Sequence, residues 1–312
     1  MILAFEEIQN EIRKNHQTSR FVFGGISGIV SRTFTAPIDR IKVLKQTKHP
    51  DFTDANLFKC LSKVVKKQGF LSLWRGNLIN CMKNSPETAI RFSAHTQLKQ
   101  YFFPNVSKVE LFPRFLIACT SGLISMSCVY PLEVVKIRTV LLDTTSRVSI
   151  AKTIKKIYRE GKIRAFYRGY RVAMLSYIPY SGLELTLYEI FKRNYLLYFK
   201  EFNFGDYQND KIRHQPHLNL RESCSLIIFS SLIPMTLVYP ANLLRTRFQA
   251  SKVNQKNKIF ATFSRIVKTE GILGIYRGFS AQMIKTSPSV LLSYTTMEFL
   301  LEFFDLPALG SL

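Results

Sequence analysis

An all-α membrane protein is predicted, with six transmembrane helices in three pseudo-symmetric repeats and three short amphipathic helices. The first basis is composition: the 312 residues are 46% hydrophobic, although the formal net charge is +23. The second is a pair of uncharged runs at 115–132 and 223–244, close to the roughly 20 apolar residues that cross a hydrocarbon core. The third is a set of sequence markers that recurs three times along the chain.

Strong basicity alone fits three classes: a nucleic-acid binder, a membrane protein beside anionic lipid, or a protein that handles anionic solutes. One apolar run could be a buried core helix, but several runs favour a membrane protein over a soluble nucleic-acid binder. Extraction that required detergent would exclude the soluble class. The five cysteines form no C-x-x-C pair, so neither a disulfide framework nor a metal site is predicted. No catalytic constellation is present, and we expect no enzymatic activity.

The repeat is defined by a proline motif, an aromatic-basic-glycine triplet and a second proline. The proline motif carries an acid and a base three residues apart, on one helix face. Its copies are Pro37-x-Asp39-x-x-Lys42, Pro131-x-Glu133-x-x-Lys136 and Pro240-x-Asn242-x-x-Arg245. The triplets end at Gly76, Gly169 and Gly278, and the second prolines are Pro86, Pro179 and Pro288. Three such motifs could close a ring by pairing between neighbours, but Asn242 removes one acid.

Each repeat predicts a long helix that contains the proline motif, a short amphipathic helix and a second long helix. The long first helices are expected at about 20–46, 113–140 and 220–249, the short ones at about 55–67, 148–160 and 257–269, and the second long ones at about 77–102, 171–198 and 279–304. The resulting division is an N-terminal segment 1–19, repeats 20–104, 105–198 and 218–305, a polar loop 199–217 and a tail 306–312. Six crossings place both termini on one side and the basic short helices on the other.

These motifs resemble the mitochondrial carrier family over about residues 20–305. The family pattern P-x-[DE]-x-x-[KR], followed by [DE]-G-x4-[aromatic]-[KR]-G, occurs three times, with departures at Gln68, at Asn242 and in the spacing between Gly161 and Tyr167. The resemblance implies a six-helix barrel around a water-filled central cavity, with alternating access and a salt-bridge ring at each end. It also implies a multi-pass protein of the mitochondrial inner membrane, or of the membrane of a mitochondrion-derived organelle.

A three-fold scaffold that binds an asymmetric solute should carry its site where the repeats differ, near mid-membrane. Two symmetric trios differ in this way: Lys83, Ser176 and Lys285, and Arg91, Glu184 and Ser293. On the first helices, Arg32 is matched by two methionines. A lone lysine could snorkel to a headgroup, but several mid-helix bases together favour a cavity lining, because ionisable groups there are costly without water or a partner. Their charge suits a phosphate-bearing solute.

The segments 31–37 and 74–83 are similar to the adenine-nucleotide branch of the family, and 86–92 and 178–184 to ATP-Mg/phosphate carriers. The resemblance implies an antiporter of adenine nucleotides, exchanging ATP, ADP or ATP-Mg against each other or phosphate, with Mg²⁺ only as part of the solute. No EF-hand loop occurs in the sequence, so calcium control is not expected from it. Two alternatives remain: a carrier of coenzyme A or another nucleotide derivative, and a non-transporting scaffold or proton leak.

Three site expectations and the partners follow from the same comparison. Tyr177 could stack on adenine or pack against a neighbouring helix. Glu184 could hold Arg91 until the solute arrives or accommodate Mg²⁺. Anionic lipid such as cardiolipin is expected at the short helices, and the chain is expected to be a monomer without a nucleic-acid partner.

The family's gates map onto motif residues of this chain. The resemblance implies a matrix gate in which Asp39 pairs with Lys136, Glu133 with Arg245, and Asn242 with Lys42 through a neutral-to-charged hydrogen bond, with Gln46 and Gln249 as braces. It implies a cytosolic gate in which Lys99 pairs with Glu189 and Lys192 with Glu298. The loss of one acid predicts that the weakest matrix-side joint lies between the first and fifth long helices.

Overall fold

The computed structural model describes residues 16–48, 56–103, 111–142, 149–199, 220–251 and 259–304. Each repeat has a long helix, a short helix and a second long helix, in the predicted order. The first repeat contains α1 (His16–Gln46), α2 (Leu57–Gln68) and α3 (Asn77–Phe102); the second contains α4 (Leu111–Val140), α5 (Ile150–Phe166) and α6 (Tyr170–Phe199); the third contains α7 (Leu220–Ala250), α8 (Ile259–Glu270) and α9 (Phe279–Phe303). The predicted N-terminal segment, polar loop and tail lie almost wholly outside the described residues.

The long helices form a closed ring. Within repeats, α1 packs against α3, α4 against α6 and α7 against α9; between repeats, α3 packs against α4, α6 against α7 and α9 against α1. Each long helix continues through at least one internal proline. A proline inside a helix removes one backbone donor and bends the axis, which suits a barrel whose wall must converge at one end.

Two helices, over Phe115–Val140 and Arg221–Ala250, are long and apolar enough to cross a membrane by composition alone. The other long helices include charged residues that lie between helices, and these lower the hydropathy of the segment. Large apolar side chains such as Phe34, Leu175 and Phe229 are 70%, 66% and 62% exposed. An apolar exterior with a charged interior is the pattern expected of helices that face lipid outside and water inside.

The glycine of each aromatic-basic-glycine triplet permits a close approach of two backbones. Gly76, Gly169 and Gly278 have φ of 86°, 80° and 85°, where a side chain is strained. A Cβ on each would lie 3.5 Å, 3.3 Å and 3.3 Å from the carbonyl oxygens of Lys136, Arg245 and Lys42, respectively. The triplet of one repeat is thus packed against the proline motif of the next, which explains why the two patterns recur together.

The second repeat differs from the others between its short helix and its triplet. In the first and third repeats, Gly69 and Gly271 end the short helix, and a single 3-10 turn follows. In the second repeat, helical structure resumes after a break at Gly161 and Lys162, where Lys162 has φ of 50°. The extra residue noted between Gly161 and Tyr167 provides the length for this kink.

Candidate functional site

Two ion pairs join first helices of neighbouring repeats at the short-helix end of the barrel. The Lys136 ammonium lies 2.6 Å from the Asp39 carboxylate, joining α4 to α1. The Arg245 guanidinium lies 2.5 Å from Glu133, joining α7 to α4. These are the two charged contacts that the motif comparison predicts, and they close this end of the barrel in the present conformation.

Each of these acids also binds a lysine from a second helix. Lys285 on α9 lies 2.6 Å from the other oxygen of Asp39, and Lys83 on α3 lies 3.6 Å from Glu133. Both lysines were predicted as ligands of the solute in the cavity. In the structure both lysines contact the acids of the gate motifs.

The third copy of this arrangement lacks both the gate acid, replaced by Asn242, and the second-helix lysine, replaced by Ser176. The Asn242 side chain makes no hydrogen bond to Lys42 within the described residues, contrary to the expected neutral contact. Ser176, the symmetric counterpart of the two lysines, is 2% exposed, and its hydroxyl donates to the Ala173 carbonyl at 2.9 Å. Ser176 therefore lies inside its own helix packing and not on the cavity surface, a correction to its predicted role as a ligand.

The joint between α1 and α7 lacks an ion pair but has other contacts. The Gln46 amide donates to the Tyr239 hydroxyl at 3.0 Å, and the Arg247 guanidinium donates to the Gln46 carbonyl at 2.9 Å. The Gln249 amide donates in the same way to the Tyr130 hydroxyl at 3.1 Å. A neutral hydrogen bond from Gln46 and a charged one from Arg247 therefore hold the joint that the sequence predicted to be the weakest.

Arg32 is held by amides and not by a carboxylate. Its guanidinium donates to Oδ1 of Asn84 and, at 3.4 Å, to Oδ1 of Asn80. Gly28 makes room for this arrangement, because a Cβ there would lie 2.3 Å from Nδ2 of Asn84. Within the described residues the Arg32 charge has no carboxylate partner, and the half-buried guanidinium can therefore receive an anion.

A cavity of about 640 Å³ is lined by residues that include Arg91, Tyr177 and Glu184. The expected pair between Arg91 and Glu184 is not formed. Arg91 instead lies 3.7 Å from Glu87 and 6.0 Å from the centre of the Tyr177 ring. Glu184 accepts a hydrogen bond of 3.0 Å from the Tyr180 hydroxyl one helical turn earlier, so each partner is satisfied locally.

Glu87 is a site residue that the sequence analysis missed. Its two oxygens lie 3.5 Å from the Lys83 ammonium and 3.7 Å from the Arg91 guanidinium, one turn away on either side. The i, i+4 spacing of these three charges on one helix could have indicated the contact. Glu87 supplies a counter-ion to two bases that were predicted to bind the solute.

The predicted cytosolic gate is not closed in this conformation. Within the part of the chain that the structure describes, Lys99, Lys192 and Glu298 make no ion pair, and Glu189 is not paired with either lysine. Among the described residues, the ion pairs that join first helices of neighbouring repeats lie at the short-helix end of the barrel. The two ion pairs of the cytosolic gate stay a prediction for the state in which that end of the barrel is closed.

A second layer of charge lies beneath the ring, outside the membrane-spanning segments. Glu270 accepts two hydrogen bonds from Arg247, at 2.7 and 2.9 Å, and lies 3.5 Å from Arg277 and 3.7 Å from Lys48. Hydrogen bonds from Arg247 hold the pKa of the Glu270 carboxyl below its ordinary value. In the second repeat, Glu160 lies 3.3 Å from Arg138; in the first repeat, Gln68 accepts a hydrogen bond from Arg40.

A three-repeat helical barrel with an apolar exterior and an ion-paired interior has the architecture of the membrane solute carriers. The profile of the family described as mitochondrial carrier protein matches residues 13–106, 107–199 and 217–306. The chain belongs to this family and is a multi-pass protein of the mitochondrial inner membrane. The predicted fold class and the family resemblance are thereby confirmed.

Two relatives illustrate the similarity. The chain is 36% identical over 280 residues to calcium-binding mitochondrial carrier protein SCaMC-2-A of Danio rerio. It is 34% identical over 297 residues to the mitochondrial adenyl nucleotide antiporter SLC25A24 of Homo sapiens. These alignments cover 89% and 94% of this chain but 57% and 60% of the relatives. The chain therefore spans less than two thirds of the length of the curated relatives it matches.

Proposed function

We propose that this chain exchanges adenine nucleotides across the mitochondrial inner membrane, with ATP, ADP or ATP-Mg as solutes and phosphate as a counter-substrate. The observation that carries the proposal is the set of bases at the cavity floor. Among the described residues Arg32 has only neutral partners, and Lys83 and Lys285 hold carboxylates that a phosphate could replace. The similarity to an adenyl nucleotide antiporter supports the same class of solute.

The transport step follows from competition for these lysines. A phosphate that binds Lys83 and Lys285 removes one of the two cations from each gate acid. The remaining pairs are short but partly hydrated, and partly exposed ion pairs contribute about 1 kcal/mol or less each. Solute binding energy of this size is therefore sufficient to shift the population towards a state with the short-helix end open, provided that the solute binds that state better.

Mg²⁺ would enter as part of the nucleotide and not as a resident ion. Glu87 lies 3.5 Å from the Lys83 ammonium, and Glu184 is among the residues that line the cavity. Mg²⁺ prefers oxygen ligands while keeping several waters. We propose that one or both accept the charge of ATP-Mg. Anionic lipid at the short helices and a monomeric state are part of the same proposal.

The test is exchange in liposomes loaded with ATP, measured as uptake of labelled ATP. Competition with ADP, AMP, phosphate and coenzyme A, each with and without Mg²⁺, defines the solute. We expect ATP uptake that ADP and ATP-Mg reduce, and loss of uptake in the double variant Lys83→Gln, Lys285→Gln. Lys59→Gln on the exposed face of α2 is the control for loss of one positive charge.

Three results would count against the proposal. Absence of ATP uptake by the unmodified chain would remove adenine-nucleotide exchange, and stronger competition by coenzyme A would favour the alternative solute. Unchanged uptake by the double lysine variant would contradict the assigned site and favour a different route for the anion.

A further inference from the structure

The three copies of the ion-pair ring are not equivalent, and the difference isolates one cation. In two copies a gate acid holds a base from the next first helix and a lysine from the preceding second helix. In the third copy both the acid and that lysine are replaced, by Asn242 and Ser176. The base of that copy, Lys42, lies within 4 Å of no carboxylate of the described residues.

The charges around Lys42 make this position unfavourable for a bare ammonium group. Three of the charges acting on it are positive, from Lys136, Lys285 and Arg245, and one is negative, from Asp39. The two oxygens of Asp39 are already engaged at 2.6 Å by the other lysines. A half-buried cation in such surroundings requires an additional anion, because a charge removed from bulk water is costly without a partner.

Within the described part of the chain, no nearby protein group supplies that anion. Asn242 offers a neutral amide at the position where the other copies have a carboxylate. Ser176 is turned into its own helix and contributes neither a charge nor a hydrogen bond to this part of the floor. An oxyanion at this position would therefore pair with the Lys42 ammonium and accept a hydrogen bond from the Asn242 amide.

We propose that Lys42 and Asn242 form an oxyanion subsite at the cavity floor, which binds a phosphate group in place of the missing gate acid. The solute itself then completes the third copy of the ring. The identity of the anion rests on the proposed function, since a nucleotide phosphate and inorganic phosphate share the required chemistry. Asn242 thereby selects for an anionic solute, because a protein carboxylate there would occupy Lys42 permanently.

The test is the phosphate dependence of thermal unfolding of the purified full chain in detergent. Reaction of a maleimide dye with cysteine reports unfolding, since Cys60, Cys119 and Cys224 are buried in the folded state. The variants are Asn242→Asp, which supplies the carboxylate, and Lys42→Gln, which removes the cation. Lys45→Gln, on the same helix, is the control for loss of charge.

We expect inorganic phosphate to raise the unfolding temperature of the unmodified chain and of Lys45→Gln at the same half-saturating concentration. Asn242→Asp should unfold at a higher temperature without phosphate and need about tenfold more phosphate for its half-maximal shift, as loss of one charge-assisted contact implies. Lys42→Gln should also show the weaker phosphate response, and it should not lower the basal unfolding temperature, because it removes a cation that lies among three other positive charges. If Lys42→Gln does not fold, Asn242→Asp decides the result alone.

Equal phosphate dependence of the unmodified chain and Asn242→Asp would overturn the subsite. So would the absence of a shift with either phosphate or ATP in the unmodified chain. An ATP arm separates the sources of the phosphate group: a shift with both ligands that Asn242→Asp weakens supports a shared subsite. If liposomes show no ATP exchange but the phosphate response still depends on Asn242, the proposed function fails and the subsite stands.

Discussion

Replacement of Glu270 by glutamine should destabilise the chain more than the same change at Glu160. The two residues occupy equivalent positions in the third and second repeats, and their surroundings differ. The Glu270 side chain is 4% exposed and takes two short hydrogen bonds from Arg247, whereas the Glu160 side chain is 19% exposed and lies 3.3 Å from Arg138.

The expected magnitudes follow from these contacts. Glutamine keeps one acceptor oxygen. Glu270→Gln therefore loses one of the two hydrogen bonds from Arg247, and the remaining bond is no longer between two charged groups. Breaking a buried, hydrogen-bonded ion pair costs about 3–5 kcal/mol, and the retained acceptor places this change near the lower limit. The partly exposed contact of Glu160 contributes about 1 kcal/mol or less. At roughly 2–4 °C per kcal/mol, the unfolding temperature should fall by roughly 6–12 °C for Glu270→Gln and by roughly 4 °C or less for Glu160→Gln.

The measurement is the thermal unfolding of both variants beside the unmodified chain, in one detergent and at neutral pH. Gln68 gives an internal reference, because the first repeat already uses a neutral side chain that accepts from Arg40. Conversion of Gln68 to glutamate should therefore not destabilise the chain. A Glu160→Gln effect equal to or larger than that of Glu270→Gln would refute the reasoning from burial and bond number.

Three further predictions test other parts of the structure. Because the pKa of Glu270 is lowered in the folded chain, the stability that its carboxylate contributes should be complete above the ordinary glutamate pKa of about 4.3 and should decline as pH falls below that value. Unfolding curves from pH 3.5 to 7 should show this loss of stability, and Glu270→Gln should make the loss smaller. Asp39→Asn leaves two half-buried lysines, Lys136 and Lys285, without their acid. It should lower stability by about 2 kcal/mol or less, since each partly exposed pair contributes about 1 kcal/mol or less, measured by thermal unfolding with Asp39→Glu as the milder control. Gly28→Ala should displace Asn84 and raise the KM for ATP uptake several-fold, whereas Gly25→Ala, with nothing within 4 Å of its added Cβ, should leave KM unchanged.

The positions of the helices could be predicted from the sequence because their signals are local. The long helices α3 (Asn77–Phe102) and α4 (Leu111–Val140) lie within two residues of their predicted bounds. Prolines, glycines and apolar runs act over one or two turns, and three repeats in one register confirm one another. The pairs Asp39–Lys136 and Glu133–Arg245 were also expected, because the resemblance to the family implies them once the three motifs are aligned.

The contacts of the solute-facing bases could not be predicted in the same way. Register placed Lys83 and Lys285 in one layer but did not show that each reaches a gate acid, because that depends on the rotation and separation of two helices. Arg91 was assigned to Glu184 on a neighbouring helix, yet Glu87 one turn away is within reach. A local partner competes well because the helix already holds it in place.

The sequence by itself determined the repeat, the order of the helices and the loss of one acid at Asn242. Only the tertiary structure decided that Ser176 lies away from the cavity and that Lys42 lacks a carboxylate within reach in the described residues. Chain order specifies which residues share a layer, but side-chain distances depend on how helices from three repeats converge. The isolated cation is a property of that convergence, and it is where the solute's own charge is expected to act.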